Sequence, residues 1–476
     1  MRPAAVARWV AVAALVAATP FRVGAAGPRF GGPPRQAPAT LTTPLLSLRR
    51  VPQLVGFAAA TSKLDGSLDA ALAMRQWEQS PAQACLVVQA GTTTLYSHNP
   101  SLPVLPASNL KLLTATAALD KLPANDRFVT AVDADAPPAN GVVTGNLYLV
   151  GGGDPLLYTP DYAATLPDPA EPYDNLNTLA SQVRAAGVTM VTGSVIGDES
   201  RYDSQRSVAS WVPSYLSTGE AGPLSALEVN DGFATFKPAP VPAPQPAQQA
   251  ATTFTAALKA AGVTVTGPPA AGTAPAHAVG LTQLASPPLP KVLGVILQRS
   301  DNTGAELVTK ELGRQVSGAG TTAAGIAVIV ADLTADGLPT SGLQMKDGSG
   351  LDRGDRATCQ LILATLERGG ATGAVGQQLP VAARSGTLAG RFGGTAAAGR
   401  LRAKTGTLDG VAALSGFVAP AAAAAGGIAG GAGEAFSLIS NSVVTEATGE
   451  AIGNRVGVVV AQFPQMPPLA AIGPQP

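Results

Sequence analysis

Apolar and polar positions change rhythm several times along this chain of 476 residues, and each change predicts an element or a boundary. The first apolar stretch, residues 9–19, follows Arg2 and Arg8 and precedes the small-residue site Val23-Gly24-Ala25. It is much shorter than the roughly 20 apolar residues that a membrane-spanning helix needs. Its order is that of an export signal: positive, then apolar, then small. Residues 1–25 are therefore expected to be a signal peptide, with an uncleaved tether as the other reading. Residues 26–40, rich in Gly, Pro and Arg, predict a flexible lead-in. Leu64, Leu68 and Leu72 then recur at helical spacing, and 84–89 with 92–96 predict a hairpin around Ala90-Gly91. An alanine-rich apolar run from Ser108 to about Leu119 predicts a helix.

After Phe128 the texture turns to short strand-like pieces, 141–144 and 146–150, the second ending in Gly151-Gly152-Gly153-Asp154-Pro155. No Gly-Lys-Ser/Thr follows that loop, so it predicts a tight turn and not a phosphate cradle. Two segments echo each other, 179–189 and 254–265, each patterned as helix, glycine cap and strand. Residues 237–248 are proline-rich and predict an extended surface loop. An apolar run at 289–296 leads into Arg299-Ser300-Asp301-Asn302, and a helix with Glu306 and Leu307 follows. A loop at 348–351 precedes a helix over 357–366; 436–440 and 456–463 predict closing strands, with the Ala/Gly run 421–433 as a mobile connection. One domain thus starts before Ser108 and resumes near Leu289, which assigns 41–130 and 289–476 to it and makes 131–288 an inserted accessory region.

Charge narrows the function. Lys plus Arg and Asp plus Glu both total 31, and charged residues make up only 13%, so no basic field points to nucleic acid. His98 and His277 sit in unrelated predicted loops, which leaves no metal cluster and no histidine-based triad. Cys85 falls in a predicted strand and Cys359 in a predicted helix; a disulfide and two buried thiols are equally open readings.

The chemistry lies elsewhere. Ser108 and Lys111 are spaced i, i+3, which puts hydroxyl and amine on one helix face. A hydroxyl becomes a good nucleophile when a base removes its proton, and a lysine is such a base when burial or nearby positive charge lowers its pKa. Ser300-Asp301-Asn302 adds a second hydroxyl and an amide, and Lys404-Thr405-Gly406-Thr407 adds an ammonium, two hydroxyls and a glycine. Only nine lysines occur in the chain, and Lys111 and Lys404 are two of them. Ser108 is the expected nucleophile and Lys111 its base, with depression of the Lys111 pKa expected from Lys404. Ser300 is expected to relay a proton toward the leaving nitrogen, and Asn302 to orient Lys111. Lys404, Thr405 and Thr407 suit a peptide C-terminal carboxylate. Gly406 is expected to let substrate backbone approach the strand.

These three motifs, in this order, resemble the penicillin-recognising serine enzymes. The 192-residue separation of Ser108 from Ser300 is similar to that of the class C low-molecular-mass penicillin-binding proteins, the S13 D-alanyl-D-alanine carboxypeptidases. The resemblance implies an α+β fold: a β-lactamase/transpeptidase-like domain, with a five-stranded antiparallel sheet flanked by helices, interrupted by two nested accessory domains. It implies a serine protease and hydrolase that removes the terminal D-Ala of peptidoglycan stem peptides ending in D-Ala-D-Ala, through an acyl-Ser108 intermediate. Endopeptidase action on crosslinks uses the same machinery. It also implies an oxyanion hole made by the backbone N–H groups of Ser108 and Thr407, β-lactam antibiotics as covalent inhibitors, no cofactor and no metal, and an extracytoplasmic location in the cell-wall space. The Gly-Gly-Gly-Asp-Pro loop resembles a structural signature of that family. Asp352 and Asp355 depart from the pattern, standing where it has serine and asparagine; facing the cleft they would weaken carboxylate capture, and pairing with Arg353 and Arg356 would blunt that. A dedicated β-lactamase and a catalytically silent peptidoglycan-binding protein are the alternatives.

The leader makes a first prediction. The extracytoplasmic form should begin between about residues 22 and 32, as N-terminal sequencing would show. A cytosolic product beginning at Met1 would contradict it.

Overall fold

The computed structural model describes residues 51–73, 83–168, 171–420 and 433–464. The expected signal peptide, the lead-in and residues 421–432 of the Ala/Gly run lie outside the described residues. Five strands form one antiparallel sheet, in the order Leu401–Leu408, Val411–Val418, Glu434–Asn441, Gln83–Ala90, Thr93–His98. The N-terminal hairpin is thereby stitched to the C-terminal strands, with Cys85 opposite Ile439. Val411–Val418 and Glu434–Asn441 are buried at every position, so both faces of the sheet are covered.

Strand alternation decides what each face meets. Cys85, Val87, Ala413 and Ile439 pack with Leu112, Leu113, Val292, Ile296, Leu361 and Ile362, from three helices: Lys111–Lys121, Leu289–Arg299 and Cys359–Gly369. Their neighbours Leu86, Val88, Ala412 and Leu438 pack on the other side with Leu64 and Leu68 of the helix Val51–Leu72 and with Ile452 and Val456 of Glu446–Ala461. That last helix corrects the strand expected over 456–463. Its β-branched run mimics a strand, yet Ile452, Val456, Val459 and Val460 recur at helical spacing and are all buried. Gly449 lets this helix settle on the sheet, because a Cβ there would lie 2.3 Å from Ala412 Cβ.

Between Phe128 and Leu289 the chain builds a second five-stranded sheet. Its strands Val129–Ala134 and Val279–Ala285 pair antiparallel, so the segment leaves and returns side by side, with Val129 opposite Ala285. Its own core contains Val132, Leu149, Leu179 and Phe254. The sequence echo is structural. Helices Leu176–Ala185 and Pro246–Ala260 are followed by Gly187 and Gly262 at φ 89° and 84°, then by strands Met190–Val191 and Thr264–Val265, which pair in parallel. The proline-rich loop ends earlier than expected, because Pro246 opens a helix, where its missing N–H costs nothing. His98 closes a strand and His277 is exposed in a turn.

The open question about the cysteines is resolved: Cys85 and Cys359 form a disulfide with a Cα–Cα distance of 5.8 Å. It fastens a sheet strand to the start of the helix Cys359–Gly369 across 274 positions of sequence. Replacing both cysteines by alanine is expected to lower stability by about 2–5 kcal/mol, because the unfolded chain regains a long loop's freedom. Calorimetric melting of both proteins checks this; equal midpoints would mean that the cross-link contributes nothing.

Candidate active site

Ser108 lies on the short 3₁₀ turn Ala107–Leu110, which is entered through Ala107 at φ 48° and runs directly into the helix Lys111–Lys121. The helical run expected from the sequence therefore begins with a tighter turn. In 3₁₀ geometry residues i and i+3 eclipse, and Lys111 Nζ stands 2.9 Å from Ser108 Oγ.

Ser300-Asp301-Asn302 is the corner between two helices. Ser300 caps Leu289–Arg299 in a left-handed conformation, φ 61°, which is costly for a non-glycine residue. Asp301 caps the next helix, Asn302–Ser317, by accepting the Gly304 N–H at 3.0 Å. Asn302, its first residue, accepts from Lys111 Nζ at 2.5 Å through Oδ1 and donates to the Glu220 carbonyl at 2.7 Å through Nδ2. These opposed bonds fix its amide.

Lys404-Thr405-Gly406-Thr407 belongs to the edge strand Leu401–Leu408. Lys404 Nζ donates to Ser300 Oγ at 2.7 Å and to the Thr405 carbonyl at 2.8 Å. Thr405 Oγ1 donates to Thr387 Oγ1 at 2.9 Å. At Gly406 a Cβ would meet Asn109 Nδ2 at 2.9 Å and the Pro106 carbonyl at 3.0 Å, so the glycine admits the Ser108 turn.

Ser108, Ser300, Asn302, Thr405 and Thr407 line one cleft of about 410 Å³, and the two lysines are buried beside it. Sequence reasoning missed Glu220, Thr387, Tyr162, Asp231, Phe233 and Arg299 in its wall. Arg299 directly precedes Ser300, and that adjacency was the available signal. Asp120, Asp332 and Asp336 also converge, but Lys121 and Arg368 already pair with them, so this group is a closed ion-pair network.

A loop of buried carboxylates supports Lys111 from below. Lys111 Nζ donates to the Ser349 carbonyl at 2.7 Å, and Thr114 Oγ1 donates to the Gly348 carbonyl at 2.7 Å. Glu306 Oε1 accepts the N–H groups of Gly348 and Ser349, each at 2.8 Å. Asp347 accepts from the N–H groups of Gly350 at 2.6 Å and Asp352 at 2.7 Å, and from Trp211 Nε1 at 2.8 Å. The two aspartates that depart from the resembled pattern are buried and do not line the cleft. Asp352 accepts from Ser210 Oγ and from Gly354 N–H, and Asp355 accepts from Lys346 N–H at 2.7 Å. Among the described residues Arg353 and Arg356 make no ion pair with them; their hydrogen bonds go to the carbonyls of Asp409, Arg353 and Asp355.

Burial lowers Lys111 to about 8, with Asp347, Asp301, Glu306 and Asp355 opposing the shift. Burial, and then the charge of Lys111, holds Lys404 well below the usual ammonium range. Desolvation is thus the first cause at both lysines, and their mutual repulsion is a further one. Burial, and then Asp347, pushes Glu306 up to about 8 and Asp355 up to about 10. At neutral pH Asp355 is a neutral acid, close in shape to the asparagine that it replaces in the resembled pattern.

Residues 64–244 and 234–462 match the model of the D-Ala-D-Ala carboxypeptidase 3 (S13) family. The chain is 32% identical to a D-alanyl-D-alanine carboxypeptidase of an Actinomadura species, over 89% of each protein. Among solved structures it is similar to penicillin binding protein 4 (dacB) from Haemophilus influenzae, with a TM-score of 0.67 and 20% identity over 80% of this chain and 97% of that one. That protein is also solved in complex with a β-lactam. A predatory peptidoglycan endopeptidase from Bdellovibrio bacteriovorus matches with a TM-score of 0.53 and 16% identity, over 80% of this chain and 94% of that one.

Asp355 gives the site a measurable signature. Its carboxyl titrates near 3.8 when unperturbed and near 10 in the folded protein. Between those values the folded state holds one proton more than the unfolded chain, so stability falls as pH rises through this window. Asp355→Asn removes that dependence. Its stability should match or exceed wild type at pH about 7, with a shallower decline toward alkaline pH, whereas Asp355→Ala, which orphans the Lys346 N–H, should cost about 1–3 kcal/mol. Denaturant titrations across pH check this; an unchanged slope in Asp355→Asn would contradict it.

Proposed function

The chain belongs to the D-Ala-D-Ala carboxypeptidase 3 (S13) family, and we propose that it hydrolyses the terminal D-Ala from peptidoglycan stem peptides through an acyl-Ser108 intermediate. In this reading 41–130 and 289–476 form the catalytic domain and 131–288 an inserted accessory region of two nested domains. The protein acts outside the cytoplasmic membrane, after cleavage of residues 1–25 or tethered by them.

The observation that carries the mechanism is the set of partners around Lys111 Nζ. Two are acceptors only: Asn302 Oδ1 at 2.5 Å and the Ser349 carbonyl at 2.7 Å. The third is the Ser108 hydroxyl at 2.9 Å. A neutral amine has two N–H bonds and one lone pair. The two acceptors take the N–H bonds, which turns the lone pair toward the Ser108 proton. A base of pKa about 8 is neutral in a useful fraction of molecules near neutral pH.

Ser108 Oγ attacks the carbonyl carbon of the penultimate D-Ala while its proton passes to Lys111 Nζ. The carbonyl oxygen becomes an oxyanion and takes the N–H groups of Ser108 and Thr407. Ser300, hydrogen-bonded to Lys404, relays a proton to the leaving nitrogen as the C–N bond breaks, and D-Ala departs. Water then attacks the Ser108 ester, gives up a proton to the lysine–serine network, and releases the shortened peptide. Lys404, Thr405 and Thr407 hold the terminal carboxylate. The arriving anion stabilises the charged form of Lys404 and so offsets the effect of its burial. A β-lactam carries both an acylating carbonyl and a carboxylate, and occupies the same groups as a covalent inhibitor. No step calls on a metal or cofactor.

Intact-protein mass spectrometry with penicillin tests this reading. Ser108 should gain the whole mass of the drug, since ring opening releases no fragment, and Ser108→Ala should gain none. Lys111→Ala should slow acylation by a factor on the order of 10²–10⁴. In wild type the acylation rate should rise with pH through about 8, as Lys111 loses its proton, and the variant should lose that rise. Stoichiometric labelling of folded Ser108→Ala would end the mechanism. Rapid release of the acyl group would instead favour a β-lactamase.

A further inference from the structure

The two acceptors that turn Lys111 toward Ser108 are both held by one stretch of the segment between Phe128 and Leu289, residues 210–222. At its start this stretch reaches the loop 347–352 through side chains. Trp211 Nε1 donates to Asp347 Oδ2 at 2.8 Å, Ser210 Oγ donates to Asp352 Oδ2, and the Tyr215 hydroxyl donates to the Leu351 carbonyl at 3.3 Å. At its end it reaches the corner at Asn302. The Glu220 carbonyl accepts from Asn302 Nδ2 at 2.7 Å, and the Gly222 N–H donates to Thr303 Oγ1 at 2.8 Å.

The contact with the loop is buried. Trp211 packs against Ala221, Leu224 and Leu351, and Asp347 beneath it is fully buried. Asp347 Oδ1 accepts the N–H groups of Ser349 at 3.1 Å and Gly350 at 2.6 Å, while Oδ2 accepts that of Asp352 at 2.7 Å and the indole N–H. Of these four donors only the indole comes from another part of the chain. The Gly350 N–H belongs to the same planar peptide unit as the Ser349 carbonyl, and in a trans unit the two point opposite ways. Asp347 therefore holds one side of a plane whose other side faces Lys111 Nζ at 2.7 Å. The loop also abuts the nucleophile's turn, since a Cβ at Gly350 would lie 2.0 Å from the Ala107 carbonyl oxygen.

We infer that Trp211 is a positioning residue for acylation: through Asp347 it sets the direction of the Ser349 carbonyl, and with it the lone pair of Lys111. This rests on the proposed function, in which Lys111 takes the Ser108 proton. The indole touches neither substrate nor reacting atoms, and Trp211 does not line the cleft. Without its N–H a buried carboxylate loses one of its donors. The carboxylate is then free to tilt, and the Gly350 N–H and the Ser349 carbonyl tilt with it. The lysine keeps its basicity but loses its aim.

Trp211→Phe tests this, because it keeps an aromatic ring against Leu224 and Leu351 and removes only the donor. Second-order rate constants for acylation by penicillin are measured for wild type, Trp211→Phe, Lys111→Ala and the double variant. Each is normalised to the fraction of molecules that intact-protein mass spectrometry finds acylated at completion. Trp211→Phe should be slower by about tenfold, the loss expected for one hydrogen bond to a charged group. In the Lys111→Ala background it should cost less than about twofold, since the group that it positions is gone. A merely structural role would lower the acylated fraction, or slow both backgrounds alike. With a D-Ala-D-Ala pentapeptide the loss should fall on kcat and leave KM in place. Ser210→Ala, at an exposed position, removes another bond to the same loop. It should slow acylation by about threefold and likewise lose its effect without Lys111; where folded Trp211→Phe is not obtained, this second cycle decides. A rate unchanged from wild type, or an equal loss in the two backgrounds, would overturn the positioning role alone. A wild type that penicillin does not acylate at Ser108 would overturn the reading beneath it and this role together.

Discussion

Two lysine side chains are buried beside one cleft, and among the described residues neither makes an ion pair with a carboxylate. Much of the structure around the cleft answers to that constraint. A buried lysine without a counter-ion is tolerated when every N–H finds an acceptor and when its pKa falls. Here both pKa values are lowered, and acceptors stand around each amine. Lys111 has Ser108, Asn302 and the Ser349 carbonyl around it; Lys404 has Ser300 and the Thr405 carbonyl. The features that make the lysines tolerable inside the protein also make Lys111 basic and aimed at a hydroxyl.

Holding those acceptors in place takes much of the chain. Ser349 sits on a loop whose N–H groups are gathered by Glu306 and Asp347. Asp347 also accepts from Trp211, which belongs to the inserted segment. Asn302 is fixed through the Glu220 carbonyl of that same segment. Residues of this segment therefore help to position Lys111, as well as forming one wall of the cleft through Tyr162, Asp231 and Phe233. The disulfide from Cys85 to Cys359 ties the other side of this arrangement to the sheet.

The carboxylate loop also explains how two departures from the resembled pattern are accommodated. Asp352 and Asp355 add formal negative charge close to a site proposed to hold a carboxylate, which looks unfavourable in sequence. In the fold both point inward to backbone N–H groups, and Asp355 keeps its proton. Burial converts a charge conflict into a neutral hydrogen-bonding group.

Local patterns in the sequence were enough for whatever depends on near neighbours. The i, i+3 spacing brought Ser108 to Lys111, the two helix–glycine–strand echoes became paired structural units, and the order of three motifs pointed to one cleft. Period alone failed at 456–463, because a β-branched run on a helix packed against a sheet is apolar enough to pass for a strand. Tertiary structure decided what depends on contact at a distance. It joined Cys85 to Cys359, turned Gly406 toward the Ser108 turn, sent Arg353 and Arg356 to carbonyls, and buried Arg299 Nη1 without a hydrogen-bond partner. It also made burial, and not the charge of Lys404, the first cause of the Lys111 shift. Residue types and spacings specify which groups are available along a helix or strand, but desolvation and hydrogen-bond partnership depend on what the rest of the chain packs against them.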